Sequence, residues 1–284
     1  MRLLALLVLI LAGCASQPAK NNTAARQEAA IEANRKGEAY VRHGELESAA
    51  RSYREALRLS QSLEDADGIA ANAINLSIVR QRQGRFNDAR ESLNAVLDQP
   101  NLRFSNARLT EVSLRHALLD LDQNHFAAAA DWVGRAAKHC GERCPMSSTI
   151  DNVRAQLALQ AGRVEEAAAV ARSAQRASEA AGDRSEMANA LRLLGIAALR
   201  AGDFSAARPH LEQALAIDRE IGAPRKIALD LMGLGRASAL RGEREAARGY
   251  YARALAVSEA DRDSALAAEA RSLAAALGGT AASQ

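Results

Sequence analysis

The chain repeats itself about every forty residues, and that period limits the possible folds more tightly than any other property. Gly44, Gly84, Asn124, Gly162, Gly202 and Gly242 follow one another at intervals of 40, 40, 38, 40 and 40 residues. Two positions further on stand Leu46, Phe86, Phe126, Val164, Phe204 and Arg244. Five positions on, every copy has alanine: Ala49, Ala89, Ala129, Ala167, Ala207 and Ala247. Such a period marks a solenoid, in which each unit buries its apolar face only against its neighbours. It points to a binding surface rather than an active site.

Within each period the side-chain sizes alternate in a fixed way. Seven residues before the turn residue the slot is small: Gly37, Ser77, Ala117, Ala155, Gly195 and Gly235. Nine residues after it come Tyr53, Leu93, Val133, Ala171, Leu211 and Tyr251, and at twelve Ala56, Val96, Ala136, Ala174, Ala214 and Ala254. Small residues let two helices cross closely and bulky ones fill the space left. Alanine is abundant, prolines number five and no strand-like alternation of useful length occurs, so the class is all-α. The pattern resembles the tetratricopeptide repeat in a longer, forty-residue version. The resemblance implies a right-handed α-solenoid over residues 28–277, with about six hairpins near 30–60, 70–98, 108–139, 148–179, 186–219 and 226–259. A capping helix is expected over 263–277 and a frayed tail over 278–284. Local chemistry adds detail: Asn124 replaces glycine at a left-handed turn. Ser148-x-x-Asp151 reads as a helix start, and Pro209 falls in a first turn if Ser205 is the cap.

The chain begins with Arg2, an apolar run from Leu3 to Leu11, and then Ala12-Gly13-Cys14. The run is shorter than the roughly 20 residues a spanning helix needs, so 1–13 reads as a signal peptide. Leu11-Ala12-Gly13-Cys14 resembles the lipobox of bacterial lipoproteins, which implies cleavage before Cys14 and acylation of its thiol and amine. Two or more acyl chains make such anchoring stable. Ala15 is not the aspartate that commonly retains such proteins at the inner membrane. The resemblance therefore implies the periplasmic face of an outer membrane, with 14–27 as a flexible tether.

A net charge of +3 is too near balance to argue for nucleic acid. Beyond Cys14 the cysteines are a pair, Cys140 and Cys144, which an oxidising compartment favours as a disulfide. A reduced pair, or a redox or metal site with His139 and His125, is the alternative, although three intervening residues and the shortage of ligands speak against the last. No nucleophile elbow, phosphate loop or helix metal spacing occurs, so neither enzyme activity nor a cofactor is expected. In the resembled family, ligands lie along the first helices, at ten, six, three and two residues before the turn. The candidate partner-binding residues there are Asn34, Arg42, Ile74, Ile78, Arg82, Leu114, Leu118, Asn152, Arg192, Arg200 and Arg236. Ile74, Ile78, Leu114, Leu118 and Leu121 read as an apolar strip or as inter-helix core. Arg192, Arg200 and Arg236 read as a carboxylate grip or as a solvated, salt-bridged face. The function these features support is a scaffold for a protein partner in envelope assembly, with a peptide- or ligand-sensing module as the alternative.

Overall fold

The computed structural model describes residues 22–142 and 144–277, among which there are thirteen α-helices and no strand. Six hairpins follow in order. They are α1 (Asn22–Arg42) with α2 (Leu46–Gln61), α3 (Ala66–Arg82) with α4 (Phe86–Leu97), and α5 (Asn106–Asp122) with α6 (Phe126–Cys140). Next come α7 (Ser147–Gln160) with α8 (Val164–Ala181), α9 (Arg184–Arg200) with α10 (Phe204–Glu220), and α11 (Pro224–Leu240) with α12 (Arg244–Ala260). Helix α13 (Ser264–Ala276) caps the stack. Each first helix packs on its own partner and on the first helix of the next hairpin, which is the connectivity of an α-solenoid.

The hairpin turns are made by left-handed residues. Gly44, Gly84, Gly162, Gly202 and Gly242 have φ between 71 and 79°, and Asn124, whose side chain tolerates that region, has φ 61°. The crossing within a hairpin depends on the small slot. A Cβ added to Gly37 would lie 2.6 Å from the Tyr53 ring, and one on Gly235 would lie 2.4 Å from Tyr251. In the fourth hairpin both slots hold alanine, Ala155 and Ala171, and Leu194 from α9 completes their cluster. The core is accordingly a chain of clusters. One spans α2 to α5, one α5 to α7 and one α10 to α13, with smaller ones over α7 to α10.

Three local expectations are corrected. Residues 22–27 are helical rather than tether, because Asn-Thr-Ala-Ala-Arg-Gln contains no breaker and runs directly into α1. Ser148 is not a cap: α7 already begins at Ser147, and Ser148 is buried in its first turn. Ser205 is not the cap of α10 either. Asp203, directly after the turn glycine, accepts from Ala206 N at 3.0 Å, so Pro209 lies deeper in the helix than its first turn. The leader, Cys14, the tether up to residue 21 and the tail 278–284 lie outside the described residues.

Candidate interaction groove

The first helices α1, α3, α5, α7, α9 and α11 stand side by side, and hydrogen bonds between them form recurring rungs. Asn34 Nδ2 donates to Asn72 Oδ1 at 2.6 Å, and Asn72 Nδ2 donates to Ser60 Oγ at 3.3 Å. Four periods later Arg192 Nε donates to Asp230 Oδ1 at 2.6 Å, and Arg192 Nη2 to Asp218. The spacings are identical: 38 residues from Asn34 to Asn72 and from Arg192 to Asp230. Twelve residues separate Ser60 from Asn72, and likewise Asp218 from Asp230. A neutral network at the first interface thus recurs at the fifth as an ionic one. At three other interfaces the same rung is apolar: Ile74 packs in the cluster holding Val112, Leu114 shares a cluster with Ile150, and Met232 shares one with Ala270.

This register corrects part of the expected binding face. The residue ten positions before each turn reaches the next repeat instead of solvent. Leu114 is 4% exposed, Asn152 5% and Arg192 9%. Asn152 donates to the Glu186 carbonyl at 3.0 Å and to its carboxylate at 2.7 Å. A second rung joins the residues three and two before the turn: Gln81 donates to Asp122, and Arg200 Nη1 to the Leu159 carbonyl. Arg82 lies 3.7 Å from Asp261, Arg42 is exposed at the end of α1, and Leu118 is half-buried. The row six positions before the turn is the more open one, with Glu38 exposed and Ile78 37% exposed.

In the last two repeats the expected positions do converge. Arg192, Ile196, Leu199 and Arg200 of α9, with Met232, Arg236, Ala239 and Leu240 of α11, all line one cavity of about 450 Å³. Its remaining lining is Leu211, Leu229, Gly233, Tyr251 and Glu269. The floor is apolar, and Leu240 on its rim is 57% exposed. Arg236 faces Glu269 at 2.8 Å, both about half exposed, so this pair is readily exchanged for another. Gly233 matters here because a Cβ at this position would lie 2.9 Å from Leu211. Tyr251, Leu211 and Glu269 were invisible as groove residues, since they belong to second helices and to the cap.

Below the cavity, Arg192 holds two carboxylates, Asp218 and Asp230, both 0% exposed. Burial pushes the Asp230 carboxyl up to about 7 against the opposing pull of Arg192, with the Asp218 charge adding to the rise. Lys226 donates to Ser185 Oγ at 2.8 Å, and burial lowers its pKa. In the third hairpin, His116 stacks on Trp132 with ring centroids 4.1 Å apart, and the Arg135 guanidinium lies 4.4 Å from the Trp132 ring. Burial pushes the His116 imidazole down to about 4. Cys140 and Cys144 are joined, their Cα atoms 4.9 Å apart, and pack in the same cluster as Trp132. Among the described residues no group of three or more His, Cys, Asp or Glu side chains is placed to hold a metal ion. Nor is any described helix long and apolar enough to cross a membrane.

Residues 146–220 and 192–265 match two tetratricopeptide-repeat family models, so the C-terminal half carries repeats of that kind. No curated protein matches the chain in sequence. Among solved structures the chain is similar to a Rap protein complexed with competence and sporulation factor, at 14% identity and TM-score 0.64. That match covers 88% of this chain and 71% of the other. BtubC from P. vanneervenii is similar at 20% identity and TM-score 0.53, over 92% and 95% of the two chains. PilF of Pseudomonas aeruginosa is similar at 17% identity and TM-score 0.52, over 87% and 99%. At these identities the likeness concerns the fold.

Proposed function

We propose that this chain, with its tetratricopeptide repeats, is a non-enzymatic scaffold acylated at Cys14 and held on the periplasmic face of an outer membrane. There it binds a protein partner engaged in envelope assembly, of the pilus, secretin, barrel or peptidoglycan machinery. The observation that carries the binding role is the cavity between α9, α11 and α13. It combines an apolar floor with two arginines, Arg200 and Arg236, that are exposed at its edge. An apolar partner segment with an acidic flank fits that combination, because the floor gains from excluding water and the guanidiniums favour carboxylates. The anchoring rests on the lipobox-like tetrapeptide ending at Cys14.

Affinity capture of the acylated protein from solubilised envelopes tests the reading. A partner held by wild type and lost with Leu240→Glu supports it; equal capture by both removes the cavity from the account. Cys14→Ser should release the chain to the soluble fraction, and membrane retention of that variant would contradict the anchor. A second reading, a peptide-sensing module, is favoured by the similarity to a Rap protein solved with a bound factor. A sensor changes shape on binding, so unchanged inter-repeat distances in a saturated complex would argue for the scaffold.

A further inference from the structure

The turn between α12 and α13 lies against the turn between α1 and α2, although 219 residues separate the bonded pair. Arg262 Nη1 donates to the His43 carbonyl at 2.8 Å. The Arg262 stem also covers Gly44, where an added Cβ would lie 2.8 Å from Arg262 Cδ. The other hairpin-turn glycines, Gly84, Gly162, Gly202 and Gly242, have nothing within 4 Å of that point. Beside this contact, Asp261 stands 3.7 Å from Arg82 of α3, with both side chains about three-quarters covered. The turn that ends the last hairpin therefore touches the first hairpin's turn through Arg262 and the end of α3 through Asp261.

Arg262 occupies a slot that the solenoid repeats. Asp65, Asp183, Ala223 and Asp263 each donate a backbone bond to the residue five positions back, at 3.0, 2.8, 2.9 and 2.9 Å. The residues just before them, Glu64, Gly182, Gly222 and Arg262, have φ of 51, 68, 69 and 57°. The two preceding turns use glycine, the residue that enters this region most easily. Glu64 shows that the slot accepts a side chain, and Arg262 differs from it in touching His43 and Gly44.

We propose that Arg262 and Asp261 form a clasp that closes the superhelix, and that its opening admits large molecules to the concave groove. The clasp stands on its own geometry; its use in partner admission rests on the groove reading above. A bond from a charged donor and one partly covered ion pair hold it, and among the described residues no core cluster spans it, which suits reversible opening.

The test uses the full acylated protein in detergent and needs no partner. Spin labels on Glu47→Cys and Ala260→Cys report the distance across the clasp. Ile196→Cys on the cavity floor reports access, through its reaction rate with a polyethylene-glycol maleimide and with N-ethylmaleimide. Arg262→Gly should lengthen and broaden the distance distribution and speed the large reagent about tenfold, while leaving the small one unchanged. Its melting midpoint should not fall, since glycine relieves the left-handed slot, and Arg262→Glu should open the clasp as well. An unchanged distance in both variants overturns the clasp. A longer distance with unchanged labelling by the large reagent overturns the gate. Neither result bears on whether the groove binds a partner, so the two readings fail separately.

Discussion

The ionic triad below the cavity can be replaced by the neutral set this chain already uses at its first interface. Arg192→Asn alone leaves Asp218 and Asp230, both 0% exposed, without their cation. Removing one partner from a buried ion pair costs about 3–5 kcal/mol. In a protein of this size that corresponds to a fall of roughly 10 °C in the melting midpoint. The triple variant Arg192→Asn, Asp218→Ser and Asp230→Asn restores the Asn34–Asn72–Ser60 arrangement at the same spacings. It should melt within a few degrees of wild type or above it, because neutral replacement of a buried ion cluster is often neutral or stabilising.

The pH dependence gives a second check. Asp230 is raised from its ordinary value to about 7, so its contribution is complete at low pH and is lost as pH rises through about 7. Without Arg192 the Asp230 carboxyl loses the charge that favours its ionised form, so the loss in Arg192→Asn should be larger at pH 8 than at pH 5. Circular dichroism melts at both pH values, with hydrogen exchange over α9 to α11, provide the readout. A triple variant as unstable as the single one, or a loss independent of pH, would mean that the buried ionic triad does not set the stability of this interface.

Three further outcomes are expected. Gly235→Ala forces a Cβ into Tyr251 and should cost about 1–3 kcal/mol. Combined with Tyr251→Val, which recreates the Ala117–Val133 pairing of the third hairpin, it should be less unstable than the two single losses summed. Reducing Cys140–Cys144 should lower stability by about 2 kcal/mol, with a change in the fluorescence of the sole tryptophan, Trp132; an unchanged melt would remove the bridge from the account. His116, pushed down to about 4, contributes stability above pH 6.5 that is lost as pH falls toward 4. His116→Phe should therefore flatten the acid limb of the stability curve, and an unaltered limb would contradict its burial as a neutral ring.

The fold was legible because a solenoid writes its geometry once per repeat. Gly37 over Tyr53 and Gly235 over Tyr251 are close approaches that the small and bulky slots announce directly. The site was legible only where the first helices converge, in α9 and α11. Leu114 and Asn152 are buried against the next repeat because the residue ten before the turn sits on the boundary between groove and neighbour, and Arg192 lines the cavity while holding Asp218 and Asp230. Which side it takes depends on how far each first helix rotates toward the next, and the period carries no record of that. The pairing of Arg192 with Asp218 and Asp230 crosses three helices, so no local pattern reveals it. The clasp is less legible still. It depends on the superhelical pitch, a small rotation accumulated over six hairpins, and brings together residues with no shared motif.

The most direct measurement is photo-crosslinking in living cells from a reactive residue placed at Leu240 on the cavity rim, compared with one at Phe126 on α6. Both positions are exposed, at 57% and 37%. One discrete protein adduct is expected from Leu240, lost when Ile196→Glu charges the floor, and none from Phe126. A discrete adduct from Phe126 with nothing from Leu240 would contradict the groove as the binding surface.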